Sequence, residues 1–172
     1  PGPPSLLRRA VLIHESRIRS LACRVRADED GGRFAAAAAA WKALGDPGQN
    51  LRCLVTDLER AGRIAEVAAL LERTGRLVLA AERWRLAGDL RRAVRCEALH
   101  AEKKGDLARA ASLWEELGDT QKAAHARGVA HYRDEEYEEA ASFFDVAGST
   151  RNAVTSRILA AKFRMDYDGA VR

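Results

Sequence analysis

Residues 106–149, DLARAASLWEELGDTQKAAHARGVAHYRDEEYEEAASFFDVAGS, decide the fold, because this stretch repeats itself at an offset of 30. Leu107 and Tyr137 fall in register, as do Ala110 and Ala140, Trp114 and Phe144, and Gly118 and Gly148. Self-similarity at a fixed period marks a repeat architecture. Each unit divides into 13 residues (106–118) and 17 residues (119–135). In the shorter part Leu107, Ala110, Ala111 and Trp114 recur at i, i+3, i+4 and i+7, one face of a helix. Gly118 supplies the residue after the helix that takes positive φ, and Asp119 caps the next helix by accepting from its free N–H groups. The longer part carries Ala123, Ala124, Arg127, Gly128 and His131 at helical spacing. Small residues there let the large aromatic of the short helix pack close. The spacing predicts two helices per unit, joined by turns of one or two residues.

The register extends in both directions. Leu77, Ala80, Trp84, Gly88, Asp89 and Ala93 precede it, and Tyr167 and Ala170 follow. Further upstream Phe34, Ala37, Ala38, Trp41 and Gly45 match the short helix, and residues 46–62 again number 17. Residues 63–75 and 76–88 are two consecutive 13-residue parts. Either a long helix has lost a turn there, or an extra helix interrupts the alternation. Residues 5–26 read as a further helix and residues 28–32, DEDGG, as the acidic loop after it. No stretch alternates with period two, so no strand is expected. The expected organisation is an N-terminal helix and acidic loop (1–32), irregular helical repeats (33–88), and regular 30-residue repeats (89–172) in one continuous array. One hairpin cannot bury both faces of its helices, so neighbours stack. The result is an all-α solenoid of stacked antiparallel hairpins, about ten to eleven helices. Tyr167, Ala170 and Val171 begin a further short helix with no polar capping face, and no Met opens the chain. A piece of a longer array is expected.

The 172 residues are 47% hydrophobic, enough for a buried core and too many for a disordered chain. The longest uncharged apolar run, residues 34–41, is far short of the ~20 residues a membrane span requires. Cys23, Cys53 and Cys96 lie far apart with no C-x-x-C pair, which reads as reduced thiols in a cytoplasmic protein. The opening Pro1-Gly2-Pro3-Pro4, followed by arginines, lacks the apolar segment of a signal peptide. Net charge is +4, with 24 Arg against 5 Lys. That skew, beside abundant alanine, is what GC-rich codons give, and the arginine excess is discounted as a nucleic-acid signal.

Candidate chemistry is sparse. Cys96 and His100 stand four apart on one helix face, a spacing that can place two metal ligands together. The repeat aligns Cys96 with Ala126 and Ser156, and His100 with Ala130 and Ala160, which are packing columns. His125 and His131 share no face, and His14 stands alone. No zincin, P-loop, dinucleotide-binding or nucleophile-elbow motif is present. Glu115-Glu116 and Glu138-Glu139 adjoin on short helices as a solvated face. The expectation is no catalytic residue, no metal and no cofactor. Trp41, Trp84, Trp114 and Phe144 share a column beside alanines and read as core. Tyr132 shares its column with Glu102 and Lys162, which points outward, an exposed aromatic anchor.

Residues 128–147, GVAHYRDEEYEEAASFFDVA, resemble a tetratricopeptide repeat. Gly128 matches the small residue inside that family's first helix and Tyr132 lies in its aromatic region. Tyr137, Ala140, Phe144 and Ala147 match the second helix in order and spacing, and Ala98, Leu107, Ala110 and Trp114 do so one copy earlier. The resemblance is clearest over 89–172. With a period of 30 rather than 34 and no proline closing the second helix, it is closest to the irregular tetratricopeptide-like solenoids of transport and coat scaffolds. It implies right-handed stacks of hairpins whose concave face holds a peptide or partner helix, with no catalysis. Carried over by register, the groove columns are Lys122, His125, Val129, Tyr132 and Arg133. Their counterparts are Arg92, Arg95, Leu99, Glu102 and Lys103 before them, and Asn152, Thr155, Leu159, Lys162 and Phe163 after. That set is mostly basic with an apolar line through Leu99, Val129 and Leu159, while residues 134–139 (DEEYEE) put acid on the short helices. A carboxylate clamp would need Asn where Leu99 stands. The implied function is a non-catalytic scaffold for an acidic or amphipathic protein or peptide, regulating a fused or partner catalytic domain. The alternative is an RNA- or DNA-binding helical repeat using arginines on phosphates. The modest charge and the lack of a one-residue-per-base code weigh against it.

Overall fold

The computed structural model describes residues 6–170, with side chains over 15–165. Among the described residues there are ten α-helices and no strand. They are α1 (Leu6–Asp30), α2 (Phe34–Ala43), α3 (Pro47–Arg60), α4 (Ile64–Arg73), α5 (Leu77–Leu86), α6 (Leu90–Lys104), α7 (Leu107–Glu116), α8 (Thr120–Arg133), α9 (Tyr137–Val146) and α10 (Thr150–Ala170). This is an all-α helical repeat. The turns form as the Gly-then-Asp punctuation requires. Gly118 has φ 76°, its N–H donates to the Glu115 carbonyl, and the Asp119 N–H donates to the Trp114 carbonyl, both at 2.9 Å. The free carbonyls of α7 are thereby satisfied. The Asp119 carboxylate then accepts from the Lys122 N–H at 3.1 Å and opens α8. Arg33, Arg63, Arg76 and Ser149 follow the glycine at four other turns, and between α8 and α9 the positive φ, 62°, falls on Glu135 in place of a glycine.

The chain divides into two compact units, Pro1–Val67 and Ala68–Arg172. In the first, Val25 of α1 packs with Phe34, Ala37, Ala38 and Ala40 of α2 and Cys53 of α3. In the second, each helix from α5 to α10 packs on the next. Its core consists of alanine columns around one aromatic per short helix: Trp84, Trp114 and Phe144 are all buried. Gly128 shows why the long helices carry small residues, since a Cβ there would stand 2.8 Å from Phe144 Cδ1. Trp41 is half-buried and packs against the cluster of Val25, Phe34 and Cys53. At the position of Ala98 and Gly128, α1 carries the larger Val25, which is fully buried.

Residues 63–88 form two consecutive ten-residue helices, α4 and α5. Glu72, three residues before Gly75, accepts the indole N–H of Trp84 at 3.1 Å. Glu102, three before Gly105 on the full-length α6, accepts that of Trp114 at 2.7 Å. The end of α4 therefore does what the end of a long helix does, and α4 is a long helix lacking its first turn.

Two expectations need correction. Residues 28–32 are not a loop: α1 continues through Asp30, leaving only Gly31 and Gly32 as the turn. The acids belong to its last turn and are held from downstream, Asp28 by Arg33 at 2.9 Å and Glu29 by Trp41 at 2.8 Å. No new helix begins before Tyr167 either. Where Gly105 and Glu135 turn left-handed, Met165 stays helical, so α10 runs unbroken to Ala170. Val171 lies outside the described residues, as do the side chains of Tyr167, Ala170 and His14.

Candidate functional site

Helices α6 and α8 start with aspartate caps, and this places their cations. Asp89 and Asp119 accept from the N–H groups of Arg92 and Lys122, three residues on. That geometry turns both cations back over the preceding short helix. The Arg92 guanidinium lies 4.6 Å from the Trp84 ring, and Lys122 Nζ lies 4.3 Å from the Trp114 ring. The two repeats thus make the same cation–π contact. Arg92, Arg95 and Lys122 line one cavity of about 370 Å³ together with Asp89, Arg91, Trp114, Leu117 and Asp119. Val129 and Tyr132 line another, of about 280 Å³, with Phe144, Asn152 and Thr155.

The remaining candidates divide. Leu99 is half-buried against the Ala98–Trp114–Ala123 cluster. His125 is half-buried, its Nδ1 3.2 Å from Ser149 Oγ and its ring 5.5 Å from that of Phe144. Lys103, Arg133 and Lys162 lie outside both cavities. Arg133 bends toward the Gly105 carbonyl at 3.4 Å, and Lys162 is exposed. Tyr132 is 37% exposed, its ring edge-on to Tyr137.

The cavity holding Arg92 is less bare electrostatically than the sequence implies. Arg92 pairs with Asp89 at 3.3 Å, Arg95 with Glu72 at 3.0 Å, and Lys122 with Asp119 at 2.6 Å. Hydrogen bonds from the Lys122 ammonium and N–H hold the Asp119 carboxyl below its usual value. Arg91 has only a long contact, 3.4 Å, to the Leu117 carbonyl. Four cations therefore face two lining carboxylates.

Sequence reasoning missed the carboxylates. Glu102, placed in a ligand-facing column with Tyr132, is committed to the Trp114 indole. Glu29 accepts from Trp41, from Arg52 at 2.5 Å and from the Cys53 thiol at 3.2 Å, and it titrates below its usual value, mostly through the indole. Glu72 repeats this with Trp84 and Arg95, beside buried Cys96. Burial first, then the neighbouring glutamate, pushes both thiols up to about 11. The signal was an offset of 43: Glu29, Trp41, Arg52 and Cys53 against Glu72, Trp84, Arg95 and Cys96.

No group of three or more His, Cys, Asp or Glu among the described residues is placed to hold a metal ion. No described helix is long and apolar enough to cross a membrane. The class that fold and site define is an all-α helical repeat with cation-lined and aromatic cavities along its long helices. No family model, curated protein or solved structure matches the chain.

Proposed function

We propose that the chain is a tetratricopeptide-like protein-interaction module that takes an acidic or amphipathic segment of a partner along its long helices. The observation that carries this reading is the pair of cavities one repeat apart. The first presents Arg91, Arg92, Arg95 and Lys122, and the second presents Val129, Tyr132 and Phe144. A carboxylate in the first and an apolar side chain in the second is the match they offer. Charge would set encounter rate and orientation, and the apolar anchor residence time. The module has no chemistry of its own in this reading and acts by bringing its partner to whatever it is joined to.

The structure selects the variant for the test. Reversing Arg95 would set a carboxylate beside Glu72 and disturb the fold. Arg92→Glu or Lys122→Glu would likewise set a carboxylate beside Asp89 or Asp119, whereas glutamine, a good helix former, leaves each aspartate cap in place and removes only the cation. Arg92→Gln with Lys122→Gln therefore keeps the fold while removing two charges. Wild type and this variant, at equal folded concentration, are probed with a displayed random-peptide library and a random oligonucleotide pool. Selection of acidic peptides by wild type, lost in the variant, supports the reading. Equal capture by both proteins overturns it, and oligonucleotide binding with steep salt dependence replaces it with nucleic-acid recognition.

A further inference from the structure

The last repeat breaks a polar arrangement that the earlier ones complete. Glu29 accepts from the Trp41 indole, from Arg52 and from the Cys53 thiol, and Glu72 accepts from Trp84 and Arg95 beside Cys96. Two repeats after Glu72, Trp84, Arg95 and Cys96 stand Tyr132, Phe144, Thr155 and Ser156. Phe144 has no N–H to give, and Thr155 donates its hydroxyl to the Arg151 carbonyl at 2.9 Å. Ser156 is fully buried, and among the described residues its Oγ is the one buried side-chain oxygen or nitrogen without a hydrogen-bond partner. The Cys53 contact at 3.2 Å shows what a side chain in this column reaches, namely the acceptor supplied by the glutamate column.

In the last repeat the ring of Tyr132 takes the glutamate's place and stands edge-on to Tyr137. The cavity of about 280 Å³ among Val129, Tyr132, Phe144, Asn152 and Thr155 lies between the columns that Glu72 bridges from Trp84 to Arg95. A following hairpin leaves this face of a repeat open, since the cavity of Arg92, Trp114 and Lys122 is open with α9 and α10 packed beyond it. No lysine or arginine lines the second cavity: Thr155 replaces the Arg95 column, and Asn152 replaces that of Arg92 and Lys122. A carboxylate entering there would be desolvated without a cation. A purely aliphatic side chain would leave the Ser156 hydroxyl unpaired. An amide avoids both costs, because its carbonyl is a neutral acceptor and its NH2 can donate to the Asn152 amide oxygen.

We propose that the cavity beside Ser156 takes a glutamine side chain of the partner segment, its methylenes against Val129 and Phe144 and its amide carbonyl accepting from Ser156 Oγ. The inference rests on the reading of the long helices as a partner-binding face. It makes the second anchor specific: the stem is apolar and the tip is an uncharged acceptor. Two methylenes carry that tip past Val129 and Tyr132 to a buried hydroxyl, which the shorter asparagine does not reach.

Two measurements on the 172-residue chain test this. In the first, Tyr132→Gln sets an amide in the glutamate column, where the chain's own side chain reaches the site, and Tyr132→Leu is the control without an acceptor. Tyr132→Gln is expected to melt about 2–4 °C above Tyr132→Leu, the shift of one added hydrogen bond. That gap should close when Ser156→Ala is added to both, a change the fold tolerates because Ala126 fills the same column one repeat earlier. In the second, a displayed random-peptide library is selected on wild type and on Ser156→Ala. Wild type is expected to enrich glutamine over leucine about fivefold at one position of its acidic peptides, and Ser156→Ala to keep the acids and lose the glutamine. Equal melting of the two Tyr132 variants overturns the proposal, because no acceptor then reaches Ser156. Acidic peptides that carry leucine or phenylalanine as often as glutamine overturn it as well, and leave the acidic-segment reading standing. A wild type that selects no acidic peptide overturns both.

Discussion

Replacing Gly128 with alanine sets two effects of known size against each other. In an open helix the exchange stabilises by about 1 kcal/mol, because glycine is the more costly residue to order. Here the new Cβ would lie 2.8 Å from Phe144 Cδ1, 2.9 Å from Cε1 and 3.2 Å from Cγ. The ring is not a loose end that can swing away. It is 3% exposed, shares a core cluster with Ala140, Ala153 and Val129, and stands against His125. Overfilling a packed site costs about 1–3 kcal/mol. The clash outweighs the propensity gain, and Gly128→Ala is expected to destabilise by about 1 kcal/mol, lowering Tm by about 2–4 °C for a chain of this length. Urea melts by far-ultraviolet circular dichroism on wild type, Gly128→Ala, Phe144→Leu and the double variant give the coupling directly. With leucine at 144 the alanine has room, so the cycle should return a coupling of about 1–2 kcal/mol. A Gly128→Ala protein more stable than wild type would show that no ring sits over this helix, and the facing of α8 and α9 would be wrong.

Glu135→Gly should stabilise by about 0.5–1 kcal/mol in thermal melts, since φ of 62° strains a side-chain-bearing residue more than glycine's extra entropy costs; a loss would show that the Glu135 side chain holds the turn. The carboxyls of Asp119 and Glu29 are lowered in the fold from 3.8 and 4.5. Their stabilisation is therefore complete above those values and disappears as pH falls through the lower folded ones. Tm should drop below about pH 5, and less steeply in Asp119→Asn, which keeps the cap without the charge. A thiol reagent at pH 8 should modify exposed Cys23 promptly, and Cys53 and Cys96 only after denaturation. Three fast thiols in the native protein would contradict the buried columns.

The 30-residue period was legible because its physics is local. Each turn needs a residue at positive φ and a cap, and each short helix has one large side chain facing small ones. Pattern alone therefore placed Gly118, Asp119, Trp114 and the ring over Gly128. The carboxylates were not legible at that period, because the shortened α4 moves the first two copies to an offset of 43. Their spacing has its own cause. A glutamate near one helix end serves the indole of the next helix, 12 residues on, and the guanidinium of the helix after, 23 residues on. In the third copy Glu102 keeps Trp114, but His125 stands where the arginine was and turns to Ser149. In the fourth the aromatic is Phe144, which has no N–H to satisfy, and Tyr132 stands in the glutamate's place. A buried indole claims an acceptor, since leaving its N–H unpaired costs about 1–3 kcal/mol. Glu102 and Tyr132 therefore share a column and not a role. The glutamate is held by its own fold, whereas the tyrosine, released by the change from Trp to Phe, faces outward, as does Lys162 one repeat on.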